Sequence, residues 1–183
     1  LQEIKLPDSE FPAADFDALG LHHAVAGQKT YNGVALLARS PIVDVSVGIP
    51  GFDDPQRRVI AGTIAGVRVI NAYVPNGQAV GSDKFAYKLD WLARFGAYLA
   101  DELQRHPRLT VVGDYNIAPE DRDVHDPAAW EGSVHVSAAE RDALRNLMAP
   151  GLVDVFRRFD QPANAYSWWD YRMLGYQKNR GLR

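Results

Sequence analysis

Two β-rich runs, Arg57–Ile64 and Val67–Val74, flank the dipeptide Ala65-Gly66 in this 183-residue sequence. Runs separated by two residues signal a hairpin, and so short a loop sets the pairing register of both strands. Side chains alternate along a strand, so Val67, Val69, Asn71 and Tyr73 are expected on one face. Ser82 then predicts the N-cap of a long helix reaching about His106, with Phe85, Leu89, Leu92, Leu99 and Leu103 on one stripe. A short apolar run, Leu109–Gly113, follows and ends directly in Asp114-Tyr115-Asn116. Hairpin, amphipathic helix and a further buried strand follow in that order, and the helix stripe is expected to pack on the sheet.

The remaining punctuation fills in the chain. Leu1–Lys5 reads as the finish of a strand, and Phe11–Gly20 as a helix of one or two turns. Leu21–Ala26, Gly33–Ala38 and Ile42–Val47 are short β-rich runs between Gly, Asn, Ser and Pro signals. Ser137-Ala138-Ala139-Glu140 is a capping box opening a helix to about Ala149, with Pro150-Gly151 as its stop. Leu152–Phe159 predicts a further short helix, while Asn116–Val136 and Asp160–Arg183 read as long irregular stretches. No repeat or linker divides the sequence, which predicts one domain over residues 1–183. Residue 1 is leucine, and Gly181-Leu182-Arg183 finishes no element, so that domain is expected to be truncated at both termini.

Composition narrows the chemistry. The 46% hydrophobic and 23% charged content is that of an ordinary globular domain. There is no cysteine, hence no disulfide framework, thiol nucleophile or thiolate zinc site, and any metal must take oxygen or histidine ligands. The five histidines show no HxxxH or HxH spacing, and P-loop, GxSxG and GxGxxG motifs are all missing. No apolar run is long enough to cross a bilayer and no signal peptide opens the sequence, which predicts a cytoplasmic protein without a membrane partner. A formal net charge of -3 argues against indiscriminate binding to nucleic acid. A local basic surface is still available, because Arg172, Lys178, Arg180 and Arg183 face only Asp170 in the last stretch.

Four segments carry candidate chemistry. In VVGDYNIAPED, Asp114 and Asn116 lie two apart at a strand end, where a carboxylate can take a proton from water while an amide orients the attacked group. The same two residue types also make ordinary turns. In VINAYVPNG, the Tyr73 hydroxyl can bond a phosphate oxygen or a leaving oxyanion, or it can simply mark the edge of the core. Glu3 in LQEIK suits a hard cation that keeps its waters, or is a lone surface acid. YSWWDYR interleaves aromatics with Arg172, which suits stacking on unpaired bases or wedging into a duplex; one of Trp168 and Trp169 should face inward and the other outward.

Taken in order, LQEIK, GQKTYNGVALLAR, RRVIAGTI, VINAYVPNG, KFAYKLDWL, VVGDYNIAPEDRDVHDPAAW, VSAAERDAL, GLVDVFR, YSWWDYR and NRGLR closely resemble the exodeoxyribonuclease III branch of the endonuclease/exonuclease/phosphatase superfamily. The resemblance implies a four-layered α/β sandwich of two packed mixed β-sheets flanked by helices. It implies a DNA-repair nuclease, monomeric, that uses Mg²⁺, with Mn²⁺ as a substitute, to cut duplex DNA at abasic sites and to trim 3′ ends. By motif, Glu3 resembles the family's metal-binding glutamate, and Tyr73 and Asn76 resemble its phosphate-contacting tyrosine and asparagine. Asp114 and Asn116 resemble the pair that activates water and steadies the phosphate, and both are further candidates for the metal. Lys29 and Tyr31 fall in a DNA-backbone loop, and Trp169, with Arg172 nearby, resembles the aromatic lining the abasic-sugar pocket.

An upstream strand bearing an active-site asparagine, and downstream strands bearing an aspartate and an aspartate–histidine pair, belong to the family pattern and lie outside this sequence. Residues 1–183 alone are therefore expected to be inactive. The rival expectations are a superfamily phosphodiesterase acting on phospholipids or inositol phosphates, against which SWWDYR argues, and a DNA-binding module without catalysis.

Overall fold

Ala65 and Gly66 both adopt left-handed backbone, at φ +48° and +76°. Two such residues form the turn whose twist matches the strands it joins, so β4 (Val59–Ile64) and β5 (Val67–Tyr73) pair antiparallel from Ile64↔Val67 outward. This geometry comes from a computed structural model describing residues 1–183. The chain divides into two compact units, Leu1–Val74 with Ala97–Tyr115, and Pro75–Gly96 with Asn116–Arg183.

In the first unit, β1 (His22–Ala26) and β2 (Val34–Ala38) form an antiparallel pair. A four-stranded sheet runs β3-β4-β5-β6, with β3 at Ile42–Val47 and β6 at Leu109–Asp114. This sheet is mixed, because β6 lies parallel to β5 while the other pairs are antiparallel. Parallel neighbours need a long crossover, and α2 (Asp83–Arg105) lies between these two strands in the chain. A short helix, α1 (Ala13–Ala18), precedes β1 inside the expected Phe11–Gly20.

The two sheets pack through Ala26, Val34, Leu36 and Ile60, with Val69 and Tyr73 of β5 against that cluster. Asn71 shares the face and is fully buried; its amide donates to the carbonyls of Leu1 (2.7 Å) and Ala35 (3.1 Å) and accepts from Gln2 (2.5 Å). The expected face of β5 is therefore the inter-sheet face. On its other side Arg68 donates to Glu102 of α2 at 2.6 Å, to the Asp44 carbonyl at 2.7 Å and to Ser46 Oγ at 2.9 Å. That buried pair has no signature in the apolar pattern.

Leu1–Lys5 departs from the expected strand. A single bridge, Gln2↔Val34, attaches it to β2, and Glu3 and Lys5 turn left-handed at φ +51° and +56°. Pleating fails where φ becomes positive, so the segment lies along β2 without continuing a ladder.

In the second unit, Ser82 Oγ accepts from Phe85 N–H at 3.1 Å, the expected cap of α2. Phe85, Lys88, Trp91, Leu92 and Phe95 are buried on its first turns, whereas Leu89 is only half-buried. Leu103, at the end of the expected stripe that lies in the first unit, is half-buried as well, and Glu102 beside it is fully buried. Trp91 and Phe95 instead fill the space, their rings stacked at 4.9 Å.

Asn116–Val136 is more ordered than a long loop would be. A 3₁₀ turn at Asp121–Asp123 leads to α3 (Pro127–Trp130), capped by Asp126, with proline at the first helical position. The helix α4 (Ala138–Met148) opens on the expected Ser137–Glu140 capping box. Leu152–Phe159 contains only a 3₁₀ turn, Val155–Arg158. Ala118, Val124 and Leu182 form a small core with Trp130 and Val136 against it, and β7 (Trp168–Trp169) pairs with β8 (Gly181–Leu182). His125 organises this region, its backbone N–H donating to the Gly181 carbonyl at 3.1 Å.

Candidate active site

The parallel register of β5 and β6 sets Tyr73 opposite Asp114, and Val74 N–H donates to the Asp114 carbonyl at 2.9 Å. Gly113 is what allows this approach: at φ +142°, an added Cβ would sit 1.9 Å from the Ala72 carbonyl oxygen. The glycine of GDYN thus serves the ladder beneath the site.

The Tyr73 hydroxyl donates to the Glu3 carboxylate, which also pairs with Lys5 Nζ at 2.8 Å. Burial, then the neighbouring Glu3 charge, push the Tyr73 hydroxyl up to about 12, and Asp114 acts in the same direction. At neutral pH Tyr73 is therefore a protonated donor. Glu3 moves the other way, held below the usual carboxylate range by Lys5 and by the Tyr73 hydroxyl. Arg58 lies over the Tyr73 ring, 4.8 Å from its centroid, and donates to the Tyr73 carbonyl at 3.1 Å. Glu3, Tyr73 and Asp114, far apart in sequence, belong to one neighbourhood of the first unit.

The second unit gathers another set. The Asn76 amide donates to Asn116 Oδ1 at 3.4 Å and lies 3.3 Å from His135 Nε2. His135 Nδ1 is 2.7 Å from the Asn116 carbonyl, so that ring nitrogen carries the proton. Asn116 takes left-handed backbone at φ +50°, which asparagine tolerates better than most residues and which ends the β6 direction.

Among the DNA-contact candidates, Lys29 and Tyr31 are exposed on the turn between β1 and β2, Tyr31 at 69%. Trp168 and Trp169 alternate as expected. Trp168 is exposed, whereas Trp169 donates from Nε1 to Asn179 Oδ1 at 3.2 Å and meets the Tyr176 ring edge-on at 5.2 Å. Arg172 is exposed, its guanidinium 5.6 Å from the Tyr171 ring centroid.

A hard divalent cation keeps most of its waters and needs only one or two protein carboxylates. Glu3 fits that demand: it is ionised, and its side chain is 43% exposed to water.

The endonuclease/exonuclease/phosphatase family profile matches residues 1–183. This chain belongs to that family. It is 35% identical to exodeoxyribonuclease III of Haemophilus influenzae, over 100% of this chain and 73% of that relative. Among solved structures, a 3′ phosphatase from Neisseria, NExo, bound to a product DNA hairpin, is 48% identical with a TM-score of 0.97, over 100% of this chain and 72% of that one. An AP endonuclease from Archaeoglobus fulgidus is 36% identical with a TM-score of 0.94, over 100% and 71%. The packed sheets and covering helices seen here are this family's α/β fold.

Four groups escape a motif reading of this family member: Arg58 in the first unit, and Lys88, Glu140 and His135 in the second. Arg58, Lys88 and Glu140 are all buried, the last two completely. Lys88 did leave a signal, because it falls on the apolar stripe between Phe85 and Leu92. His135 left none, since its neighbours Asn76 and Asn116 are remote in sequence.

Proposed function

We propose that this protein is a DNA-repair nuclease, hydrolysing phosphate esters of duplex DNA at 3′ ends and at abasic sites. The observation that carries the reading is the ionised Glu3 carboxylate bonded to a protonated Tyr73, on a strand in register with Asp114. Such a set joins a cation-attracting oxygen, a donor for a phosphate oxygen and a proton acceptor, which is what phosphoester hydrolysis asks of a protein.

In the proposed reaction, water attacks the phosphorus in line and the bond to the departing sugar oxygen breaks. Asp114 takes the water's proton. Asn116 and Asn76 donate amide hydrogens to the phosphate, and Tyr73 donates its hydroxyl to a phosphate oxygen or to the leaving oxygen. Glu3, with Asp114 and Asn116, would hold Mg²⁺ or Mn²⁺, which supplies positive charge against the charge developing on phosphate. Lys29, Tyr31 and Arg172 would meet the DNA backbone without reading sequence, and Trp169 would border the damaged sugar.

The 48% identity to a 3′ phosphatase supports action at 3′ ends, and the 36% identity to an AP endonuclease supports action at abasic sites. The test uses matched duplexes carrying a 3′-phosphate, a recessed 3′-hydroxyl end or an abasic site, each with Mg²⁺ and with EDTA. Mg²⁺-dependent phosphate, nucleotide or strand release is expected. No release from any duplex by the intact protein, alongside turnover of a phospholipid or inositol phosphate, would overturn the reading.

A further inference from the structure

Lys88 is 0% exposed, on a helix face otherwise filled by Phe85, Trp91, Leu92 and Phe95. A buried ammonium is costly unless every proton is received, and here three acceptors converge on it. Nζ donates to the carbonyl of Asn76 at 3.1 Å, to the carbonyl of Asn116 at 2.6 Å and to Glu140 Oε1 at 2.5 Å. Two of the three are the main chain of the proposed phosphate-contacting asparagines, which stand forty positions apart in sequence.

Glu140 is itself held from several sides. Its Oε1 also accepts His135 N–H at 3.0 Å, and its Oε2 accepts Ser137 N–H at 3.2 Å and the Ser137 hydroxyl at 2.5 Å. The capping box of α4 therefore does more than start a helix. It anchors a carboxylate that fixes the ammonium, and it draws His135, which bonds the Asn116 carbonyl, into the same knot.

We infer that Lys88 is a positioning residue for the nuclease reaction, with Glu140 as its anchor, setting the main chain at Asn76 and Asn116 so that both amides point at one phosphate. This rests on the reading of Asn76 and Asn116 given above. Stability alone does not call for the arrangement, since a buried ion pair is commonly no better than apolar residues of the same volume. What the charge adds is direction: three N–H bonds specify where two separate backbones sit. A displacement of about 1 Å at a reacting group costs on the order of 10²-fold in rate.

The experiment measures single-turnover cleavage of a 3′-phosphate duplex with the intact protein in excess, together with duplex affinity and thermal stability. Excess protein makes the rate constant insensitive to any unfolded fraction. Asn116→Ala comes first; full cleavage by that variant would remove the reading on which the inference rests. With Asn116→Ala impaired, Lys88→Met is expected to lower the rate constant by about 10²-fold while affinity changes by only a few-fold. Because the sequence has no cysteine, Lys88→Cys can be alkylated at one site under denaturing conditions and refolded. A 2-aminoethyl group, which restores the ammonium, should restore the rate, whereas an ethyl group of similar bulk should not. An unchanged rate constant in Lys88→Met, or equal rates from the aminoethyl and ethyl forms, would overturn the inference. If Lys88→Met does not fold, Glu140→Gln makes the same decision, since it removes the anchoring charge and leaves one oxygen to accept from Lys88: a rate lowered at least tenfold supports the inference, and an unchanged rate sinks it.

Discussion

Tyr73 and Asp114 are placed by a backbone ladder, whereas Asn76 and Asn116 are placed by side chains from other elements. A parallel pair of strands fixes its residues through repeated N–H···O=C bonds, and a side-chain change at positions other than Gly113 scarcely moves it. Backbone beyond the strands has no such ladder, and its carbonyls must find partners singly. In this protein a buried ammonium, held in place by a carboxylate, supplies them. The pair in the ladder can therefore tolerate substitution nearby, while the asparagine pair depends on a charge that another element brings to its main chain.

The largest effect should come from Asp114, the proposed base. Asp114→Asn preserves shape and removes a proton acceptor, so cleavage should fall by about 10²–10⁴-fold while duplex binding persists. Single-turnover rates and affinity measured side by side decide it. Cleavage within a few-fold of wild type would strip Asp114 of the role.

Arg68→Met sharpens the contrast between the two regions. Glu102 loses its buried partner and keeps Arg105 at 2.5 Å, so stability should drop by about 1.5–3 kcal/mol in denaturant unfolding. Arg68 lies on the face of β5 opposite Tyr73, so the single-turnover rate of the folded protein should hold. A rate loss matching that expected for Lys88→Met would erase the distinction between a stabilising pair and a positioning one.

A smaller effect is expected at the cation. Glu3→Gln replaces the proposed metal-binding carboxylate by a neutral amide and should raise the Mg²⁺ concentration for half-maximal cleavage several-fold. A superimposable magnesium titration would mean that Glu3 holds no metal.

The smallest effect concerns proton linkage at Tyr73. Its pKa rises on folding, from 10.0 to about 12, so the stability linked to its proton is whole below pH 10 and is lost as pH climbs through about 12. Tyr73→Phe carries no such proton, so its stability should fall less steeply than wild type between pH 10 and 12. Parallel slopes would show that the phenol is not shifted by burial and Glu3.

How much of this was legible beforehand follows the same divide. The hairpin, β6 and both helix caps follow from local turn chemistry and periodicity, which act over a few residues. The left-handed turns at Glu3 and Lys5, which end the expected first strand, are set by distant partners: Lys5 N–H bonds the Asn32 carbonyl and Ile4 N–H that of Gly33. Order in the stretch after Asn116 comes likewise from contacts with Gly181 and Leu182, near the end of the sequence.

Local sequence was enough for the hairpin, for the strand that ends in Asp114 and for both helix caps. Only the tertiary structure decided that Arg68 meets Glu102, that Lys88 meets Glu140, and that His135 joins Asn76 and Asn116. The physical reason is range. Hydrogen-bonded turns and ladders are specified by neighbours in sequence, but a buried charge is tolerable only where its partner arrives from elsewhere, and no local pattern records the meeting.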